Sequence, residues 1–454
     1  MPLIASISGI RGVFGDGLDP AVLTRYAAAF GGWCREQEGS EKPVVVVGRD
    51  GRTTGEVCSR LVTATLQAGG CDVIDAGLAT TPTIAIGVLE SRASGAVILS
   101  ASHNPAEWNA LKLLNAKSEF LSPDEAEAVI AMAEKEPGAY TVSHDEIGGY
   151  SEQDFLDIHI QRILKLPYIN ADVIRARGFT VVVDGINSVG GFALPALLHA
   201  LGVKDVDVLN GTCNGLFAHD PEPLPENIEG ILNHVRETGA DIGLVVDPDA
   251  DRLAFVEDGG RFFGEELTQV VAADFLMRKQ PGPFVTNLSS SRAIDDVMAK
   301  YDQPVYRSAV GEINVVKKMQ EVGAVLGGEG NGGVILPALH YGRDALVGTA
   351  FFLQHLAETG KSLSEIRAEL PIYHIAKHKL PLPEGANPDD LLARIAEQYA
   401  GENVSTIDGV KIDFKDCWVH LRISNTEPIL RIYTEAATEK EANELADRFK
   451  RRLM

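Results

Sequence analysis

An alternating acidic run is the clearest chemical signal in the sequence. Asp247, Asp249 and Asp251 follow the apolar residues 244–246 and precede Arg252. Carboxylate oxygens are hard ligands that suit Mg²⁺ or Ca²⁺ better than zinc. An extended chain would place the outer two carboxylates about 13 Å apart, at roughly 3.3 Å per residue, so a metal-binding loop has to curl around its ion. An EF-hand is excluded because Arg252 stands where that loop requires glycine, and a solvated acidic turn stays the alternative.

A serine follows a second apolar run. Ser102 lies in the segment S-A-S-H-N-P, residues 100–105, directly after the apolar residues 96–99. Its neighbours are small, so an electrophile could approach its hydroxyl. The adjacent His103 does not complete a serine-hydrolase triad, since no G-x-S-x-G elbow is present. A turn with a capping serine before Pro105 is the alternative.

A group of potential phosphate ligands lies near the C-terminal end. Residues 422–428 have the sequence R-I-S-N-T-E-P, and a further arginine follows at 431. The candidate ligands are two guanidinium groups, two hydroxyls and an amide, from Arg422, Ser424, Asn425, Thr426 and Arg431. Such a set offers a forked positive charge together with neutral donors, as a phosphate dianion requires. A hairpin turn with ordinary surface arginines is the alternative.

Two glycine-containing segments could approach a ligand closely. The first, S-G-I-R-G at residues 8–12, includes Arg11, and a flexible loop is its alternative interpretation. The second, G-G-E-G-N-G-G at residues 327–333, formally contains G-x-G-x-x-G. Apolar residues and Pro337 follow it where a dinucleotide-binding site requires a helix, so that function is not indicated. Glu329 and Asn331 could instead bind sugar hydroxyls.

The elements that position these groups follow an α/β pattern. Short apolar runs that end in polar loops predict buried strands near residues 44–47, 96–99, 181–183, 244–246 and 284–285. One helix is predicted between a cap at Thr53 or Thr54 and a stop at Gly69 and Gly70. After Pro371 the pattern alternates, which predicts antiparallel strands at 419–423 and 430–433 and a helix over 437–453.

These elements predict three related α/β domains in tandem and a smaller C-terminal α+β domain. The chain of 454 residues is too long for one ordinary core, because domains are usually about 100–150 residues. The predicted boundaries give domains at 1–148, 149–253, 254–370 and 371–454. The three α/β domains would carry the serine loop, the acidic loop and the glycine-rich loop, and the last domain would carry the arginine loop.

Composition narrows the class of partner. The formal net charge is −23, which disfavours nucleic-acid binding and means that an anionic substrate needs a local basic pocket. No run of about 18 apolar residues predicts a membrane span, and the N-terminus lacks a secretory pattern. The five cysteines are scattered without a CxxC spacing, which favours a reducing compartment. We therefore expect a cytoplasmic protein without membrane or nucleic-acid partners.

Five motifs in order over nearly the whole chain resemble the α-D-phosphohexomutase superfamily. They are S-G-I-R-G, A-S-H-N-P, D-P-D-A-D-R, G-E-G-N-G-G and R-I-S-N-T-E-P. The resemblance implies four domains with mixed sheets around a central cleft. It also implies that hexose 6-phosphate and hexose 1-phosphate are interconverted through a phosphoserine and a bisphosphate intermediate. Mg²⁺ would be the cofactor, the hexose phosphate the substrate and a hexose 1,6-bisphosphate the activator.

The resemblance implies a role for each candidate residue. Ser102 would be the phosphoserine and would complete a metal site formed with Asp247, Asp249 and Asp251. Residues assigned to the reacting phosphate are Arg11, Lys112, His103 and Arg252. Residues assigned to the sugar and to the phosphate that is not reacting are Glu329, Asn331, Arg422, Ser424, Asn425, Thr426 and Arg431.

The sequence departs from many relatives in three places, one of which is Ala110, where many have glycine two residues before the lysine. Where they carry G-E-x-S-G-H, Asn331 replaces the serine and Gly333 replaces the histidine, and Glu312 stands where some relatives have another histidine. The general acid/base therefore stays open. The G-E-G-N-G-G form resembles the archaeal-type branch, so phosphoglucosamine mutase is predicted, with a broad-specificity phosphomannomutase/phosphoglucomutase as alternative. Outside the mutases, the alternatives are a Mg²⁺-dependent phosphomonoesterase, which would release inorganic phosphate, and a sugar-phosphate sensor, which would need no phosphorylatable serine.

Overall fold

The computed structural model describes residues 3–7, 9–38, 42–381, 387–423 and 429–453. These residues form two compact units. One combines the residues up to Thr268 with Asn331–Arg367, and the other combines Gln269–Gly330 with the residues from Ala368 onward. Within the described ranges, no helix is both long and apolar enough to cross a membrane.

The first sheet of the first unit is mixed. Its strands are β1 Ile4–Ser6, β2 Gly9–Phe14, β3 Gly17–Leu18, β4 Val44–Arg49, β5 Asp72–Leu78, β6 Gly95–Leu99, β7 Trp108–Asn115 and β8 Tyr150–Glu152. The helices of this region are α1 Pro20–Glu38, α2 Gly55–Ala68, α3 Thr81–Ser91 and α4 Pro123–Met132. The strand order is β1-β2-β7-β6-β4-β5-β8, with β3 beside β2. Strands β5, β4 and β6 are parallel, whereas β7 is antiparallel to β6.

The second sheet of this unit carries the acidic run. Its strands are β9 Thr180–Asp184, β10 Asp205–Leu209, β11 Ile242–Val246, β12 Leu253–Glu257 and β13 Arg261–Phe262, in the order β10-β9-β11-β12-β13. The helices are α5 Leu156–Leu164, α6 Ala171–Arg177, α7 Gly190–Ala200 and α8 Glu229–Thr238. Strands β6 and β11 are buried along their whole length, which explains their unbroken apolar sequences. The acidic run follows β11, and the serine loop follows β6.

The chain then enters the second unit and returns. The elements up to the glycine-rich loop are α9 Glu265–Met277, β14 Phe284–Asn287, α10 Ala293–Ala299, β15 Val305–Ser308, α11 Glu312–Val322 and β16 Leu326–Glu329. Strand β14 pairs in parallel with β15 and β16. The next elements are β17 Gly333–Ile335, α12 Ala345–Thr359 and α13 Leu363–Glu369. Strand β17 and helix α12 belong to the first unit.

The C-terminal sheet of the second unit is antiparallel, as the alternating pattern predicts. Its strands are β18 His374–Pro381, β19 Asn403–Ser405, β20 Val410–Asp413, β21 Trp418–Ile423 and β22 Ile429–Ala436, with helices α14 Pro388–Gln398 and α15 Glu439–Leu453. The strand order is β18-β22-β21-β20-β19. The predicted α/β class with a smaller C-terminal α+β domain is confirmed.

One predicted helix cap works differently from the expectation. Helix α2 begins after Thr54 and ends before Gly69, close to the predicted limits. The Thr54 side chain makes no capping hydrogen bond. Its hydroxyl instead accepts a hydrogen bond from the Asn109 amide at 2.9 Å, so a tertiary contact replaces the local cap.

Candidate active site

The acidic run folds into a tight loop, as metal binding requires. The Ala250 amide donates to the Asp247 carbonyl at 3.0 Å, and Ala250 has a left-handed backbone with φ 52°. The Asp247 side chain reinforces the curl, because its Oδ1 accepts the amides of Asp251 at 3.2 Å and Arg252 at 3.1 Å. The loop thus brings its carboxylates close together, whereas an extended strand would spread them apart.

The three carboxylates fit a divalent cation. One oxygen from each of Asp247, Asp249 and Asp251 lies within 4.8 Å of the others, and all three residues are buried. Oδ1 of Asp249 and Oδ1 of Asp251 are buried and have no hydrogen-bond partner within the part of the chain that the structure describes. Burial and repulsion by the other two carboxylates raise the pKa of Asp247 well above its ordinary value. Hard oxygen ligands with excess negative charge are the donor set that Mg²⁺ prefers.

Ser102 lies against this carboxylate cluster. Its hydroxyl donates to Asp247 Oδ2 at 2.5 Å. Its backbone is left-handed, with φ 49°, and its amide donates to Ser100 Oγ at 2.9 Å. The predicted nucleophile and the predicted metal ligands are therefore adjacent within one unit, although 145 residues separate Ser102 from Asp247 in the chain.

A buried arginine, Arg52, anchors the serine loop. Its Nε donates to Asp50 Oδ2 at 3.1 Å, and both side chains are fully buried. Its two terminal nitrogens donate to four loop carbonyls, those of Ser102 at 2.6 Å, Asn104 at 2.7 Å, Pro105 at 2.6 Å and Trp108 at 2.9 Å. One guanidinium thus satisfies backbone carbonyls along the serine loop and at the start of strand β7.

Two cationic side chains contact the aspartates directly. Lys112 Nζ lies 2.5 Å from Asp249 Oδ2 and 3.7 Å from Asp251 Oδ2. Arg343 Nη2 donates to Asp251 Oδ2 at 2.7 Å. Although burial alone would lower it, Asp249 and Asp251 raise the pKa of Lys112. Burial alone would raise the pKa of Asp249, but the Lys112 ammonium holds it well below its ordinary value.

His103 is held neutral beside Ser102. Its Nδ1 lies 3.4 Å from Ser102 Oγ. Burial lowers its pKa to about 2, with contributions from four surrounding cations, Arg252, Arg343, Lys112 and Arg11. The imidazole therefore carries no charge at neutral pH, and the positive charge around Ser102 comes from lysine and arginine side chains.

The second unit contains the two candidate phosphate-binding arginines that the structure describes. Arg422 and Arg431 lie directly opposite each other in the β21–β22 ladder. Arg422 Nε lies 2.9 Å from Asp408 Oδ2. Like charges at opposed positions destabilise a sheet unless an anion or a carboxylate offsets them, so this pair fits a phosphate site. Ser424, Asn425 and Thr426 lie outside the described residues.

The candidate sugar ligands make internal hydrogen bonds. In the second unit, Glu329 Oε1 accepts from the Asn287 amide at 2.9 Å and from the Gly311 backbone at 3.2 Å. In the first unit, Asn331 Oδ1 accepts from the Gly333 backbone at 3.2 Å. Both side chains are thus held in fixed conformations by neighbours in their own unit.

The structure brings together the predicted reactive residues and adds three that sequence patterns did not indicate. Arg52 and Arg343 are described above, and the Thr81 hydroxyl donates to Asp249 Oδ2 at 2.6 Å. Thr81 is the first residue of helix α3, and nothing in the local sequence indicates its partner 168 residues away. Each of the three acts on a loop distant in sequence, and no spacing rule would have identified them.

Four protein-family models match the chain in order. They are the phosphoglucomutase/phosphomannomutase alpha/beta/alpha domain I at residues 4–139, domain II at 157–260, domain III at 264–373, and the C-terminal domain at 379–452.

Whole-chain similarities agree with these matches. The chain is 37% identical over 440 residues to a phosphoglucomutase/phosphomannomutase of Thermococcus kodakarensis, covering 96% of this chain and 95% of that protein. It is 30% identical over 458 residues to a phosphoglucosamine/phosphogalactosamine mutase of Sulfurisphaera tokodaii, covering 98% and 97%. A crystal structure of a phosphoglucomutase/phosphomannomutase family protein from Burkholderia thailandensis superposes with a TM-score of 0.86 at 27% identity, covering 99% and 96%.

Proposed function

This chain belongs to the phosphoglucomutase/phosphomannomutase family of phosphohexomutases, and on that premise we propose that it interconverts hexose 6-phosphate and hexose 1-phosphate through phosphorylated Ser102 and a bisphosphate intermediate. The observation that supports this most directly is the 2.5 Å contact between Ser102 Oγ and Asp247 Oδ2. It places a nucleophile against a carboxylate cluster of the kind that binds Mg²⁺.

The proposed reaction exchanges one phosphorus–oxygen bond for another. The free hydroxyl of a hexose monophosphate attacks the phosphorus on Ser102 and loses its proton, the bond from phosphorus to Ser102 Oγ breaks, and Ser102 Oγ gains a proton, so that the net proton transfer is from the sugar hydroxyl to the serine. The resulting bisphosphate turns, and its other phosphate returns to Ser102. No net hydrolysis occurs, because each bond broken is matched by one formed between the same types of atom.

The first unit supplies the charge that this exchange needs. Bound Mg²⁺ at Asp247, Asp249 and Asp251 would neutralise charge on the transferring group. Lys112 and the arginines around His103 supply fixed positive charge at the same place. Arg52 holds the serine loop through its carbonyls, so that the nucleophile stays in one position during the transfer.

We also propose that Arg422 and Arg431 bind the phosphate that is not reacting. A pair of guanidinium groups can bind phosphate through charge and forked hydrogen bonds without contacting the sugar. Such a site accepts either end of the bisphosphate, as a mutase requires. Glu329 and Asn331 are proposed as ligands of the sugar hydroxyls.

Glucosamine phosphate is the proposed preferred substrate, supported by the G-E-G-N-G-G loop and the relative from Sulfurisphaera tokodaii. Glucose and mannose phosphates are the second candidate, because the relative at 37% identity is named for those two sugars. A comparison of kcat/KM for the three sugar 6-phosphates, with the corresponding 1,6-bisphosphates as activators, separates the candidates. Equal values for all three would contradict a preference for glucosamine phosphate.

Ser102→Ala tests the covalent step. We expect turnover to fall by several orders of magnitude, since no oxygen remains to carry the phosphoryl group. Intact-mass measurement should show one added phosphate on the parent after incubation with bisphosphate and none on the variant. Near-normal mutase activity in the variant would rule out the phosphoserine mechanism.

A further inference from the structure

Gly333 provides the space through which the Arg343 side chain passes. A Cβ atom at position 333 would lie 2.3 Å from Cδ and 2.8 Å from Cγ of Arg343. Gly333 is not among the glycines with a positive φ, so an alanine would fit the backbone conformation. The requirement for glycine is therefore steric, and the atoms in the way belong to the middle of the arginine side chain and not to its mobile end.

The backbone around Arg343 is firmly fixed. Residue 343 bridges to Ile335 on the neighbouring strand segment, and the Asp344 amide donates to the Val334 carbonyl at 2.9 Å. The Asp344 carboxylate accepts from His159 Nε2 at 2.9 Å and faces His340 Nε2 at 3.3 Å. Arg343 therefore could not make way for a larger residue at 333 by moving its backbone, and only a change of rotamer remains.

The observed rotamer brings the guanidinium to the reactive centre. Arg343 Nη2 contacts Asp251 Oδ2 at 2.7 Å, with 11% of the side chain exposed. Lys112 Nζ lies 3.7 Å from the same oxygen. Arg343 is also one of the cations that lower the pKa of His103, the residue after Ser102. A residue at 333 that displaced this rotamer would remove a positive charge from the surroundings of Ser102.

We propose that Arg343 is a charge-stabilising residue of the phosphoryl-transfer centre, and that position 333 is glycine because a larger residue there would not leave room for that arginine. This inference rests on the proposed phosphoserine at Ser102. A phosphoserine carries about two negative charges, and together with three aspartates it exceeds the charge of one divalent ion. A further fixed cation offsets that excess at the transferring group.

The proposed steric requirement for glycine at position 333 is tested by thermal unfolding of four proteins: the parent, Gly333→Ala, Arg343→Ala and the double variant. Gly333→Ala is expected to lower Tm in the parent background, because the new methyl group displaces the arginine. In the Arg343→Ala background the decrease should be much smaller or absent, since the next nearest atom is Asn331 Oδ1 at 3.2 Å and alanine reduces the entropy of the unfolded chain. An equal decrease in both backgrounds would overturn the pairing.

A matched glycine serves as control. Gly230 is exposed in helix α8, and a Cβ there would meet nothing within 4 Å. Gly230→Ala should leave Tm unchanged or raise it in both backgrounds, whatever residue stands at 343. A decrease for Gly230→Ala that matches the one for Gly333→Ala would remove the evidence for a specific contact.

The chemical part is tested by steady-state kinetics together with metal binding. Arg343→Ala should lower kcat by about 100-fold, the usual effect of losing one charge-stabilising group. Gly333→Ala should also lower kcat. The double variant should be no slower than Arg343→Ala alone, and Arg343→Lys should recover part of the loss.

Mn²⁺ binding, followed by electron paramagnetic resonance, distinguishes charge stabilisation from support of the metal loop. Removal of a cation should leave the Mn²⁺ affinity of Arg343→Ala equal to or higher than that of the parent. A tenfold weaker Mn²⁺ affinity would show that Arg343 acts by shaping the loop, and a kcat within threefold of the parent would show that it does not act on transfer. Either result overturns the proposed role.

These results are separable from a failure of the proposed function. If the parent protein showed no mutase activity, or if Ser102→Ala stayed active, the phosphoserine mechanism would fail. The Tm comparison and the Mn²⁺ titration would still measure the Gly333–Arg343 contact and the charge at Asp251, because neither measurement depends on turnover.

Discussion

At the scale of single residues, Arg52 shows how one buried charge can organise a reactive loop. Its guanidinium donates to four carbonyls of the serine loop and to Asp50, and only 1% of the residue is exposed. A buried charge is tolerated only when its hydrogen-bonding capacity is used. Those hydrogen bonds favour one backbone conformation of the loop and one position of Ser102, the proposed nucleophile.

Arg52→Ala is expected to reduce both stability and turnover. The variant removes the counter-charge of the buried Asp50 carboxylate and the guanidinium donors to the Ser102 and Asn104 carbonyls, which costs about 3–5 kcal/mol of unfolding free energy. Urea unfolding measures that loss. Arg60→Ala is the control, because Arg60 forms an exposed pair with Glu56 on helix α2 and should change stability by less than about 1 kcal/mol. A similar loss in the two variants would contradict the anchoring role.

At the scale of elements, helix α12 begins at a buried carboxylate with partners on both oxygens. Asp344 Oδ1 accepts the amides of Leu346 at 2.8 Å and Val347 at 3.2 Å. Oδ2 faces the two histidines His159 and His340. The same side chain therefore caps the helix and holds the backbone next to Arg343, so this hydrogen-bond network supports the proposed active site.

Asp344→Asn is expected to lower stability by about 1–3 kcal/mol near neutral pH, because a buried donor replaces an acceptor of the histidine hydrogen bonds. Burial would raise the pKa of Asp344, but His159 and His340 hold it well below its ordinary value. A depressed carboxyl pKa stabilises the fold above the pKa of the unfolded chain, about 3.9, and the contribution is lost as pH falls toward the folded value.

Urea unfolding at a series of pH values checks this linkage. The difference in unfolding free energy between the parent and Asp344→Asn should be constant above about pH 5 and should shrink below about pH 4. Asp172→Asn is the control, since that carboxylate is largely exposed at the start of helix α6. A difference that grew on acidification would contradict the assignment of Asp344 as the charged partner.

The antiparallel pair β21–β22 leads to a prediction on substrate binding. Arg422→Ala should raise KM by about 10- to 100-fold, the equivalent of one charge-assisted hydrogen bond, while kcat changes little. Initial-rate kinetics measures both constants. Arg394→Ala, on the exposed face of helix α14, should leave KM unchanged. A fall in kcat at constant KM would place Arg422 in the chemical step instead.

At the scale of the whole molecule, sequence and structure agree where the determinants are local. The continuous apolar sequences of β6 and β11 predicted buried strands because covered sheets require them, and the loops after them contain the serine and the aspartates that the structure places in contact. Arg52 and Arg343 could not be predicted, because their partners lie 50 and 92 residues away. Only tertiary packing brings such pairs together, and neither arginine belongs to a local pattern.

Net charge leads to a further prediction at this scale. A chain of formal charge −23 repels a phosphosugar at long range, whereas the cations around Ser102 attract it only at short range. Raising the ionic strength from about 0.01 M to about 0.15 M shortens the screening length from about 30 Å to about 8 Å. We expect kcat/KM to rise or stay constant over that range.

A comparison of two salts distinguishes electrostatic screening from competition between a particular anion and the substrate. Sodium chloride and potassium glutamate should have the same effect if screening dominates, and initial-rate measurements with both salts check this. A tenfold fall in kcat/KM with both salts would contradict the prediction, because it would indicate long-range attraction of the substrate.

The left-handed backbone of Ser102 also determines which replacement of this residue the fold would favour if activity were no longer required. A residue other than glycine in that region costs about 1–2 kcal/mol, so Ser102→Gly should be about 1 kcal/mol more stable than Ser102→Ala, although both lack the hydroxyl. In a lineage that no longer needed turnover, glycine would be the favoured replacement at this position. The fold itself does not require serine at this position, so its hydroxyl is accounted for by the proposed chemistry and not by the backbone conformation.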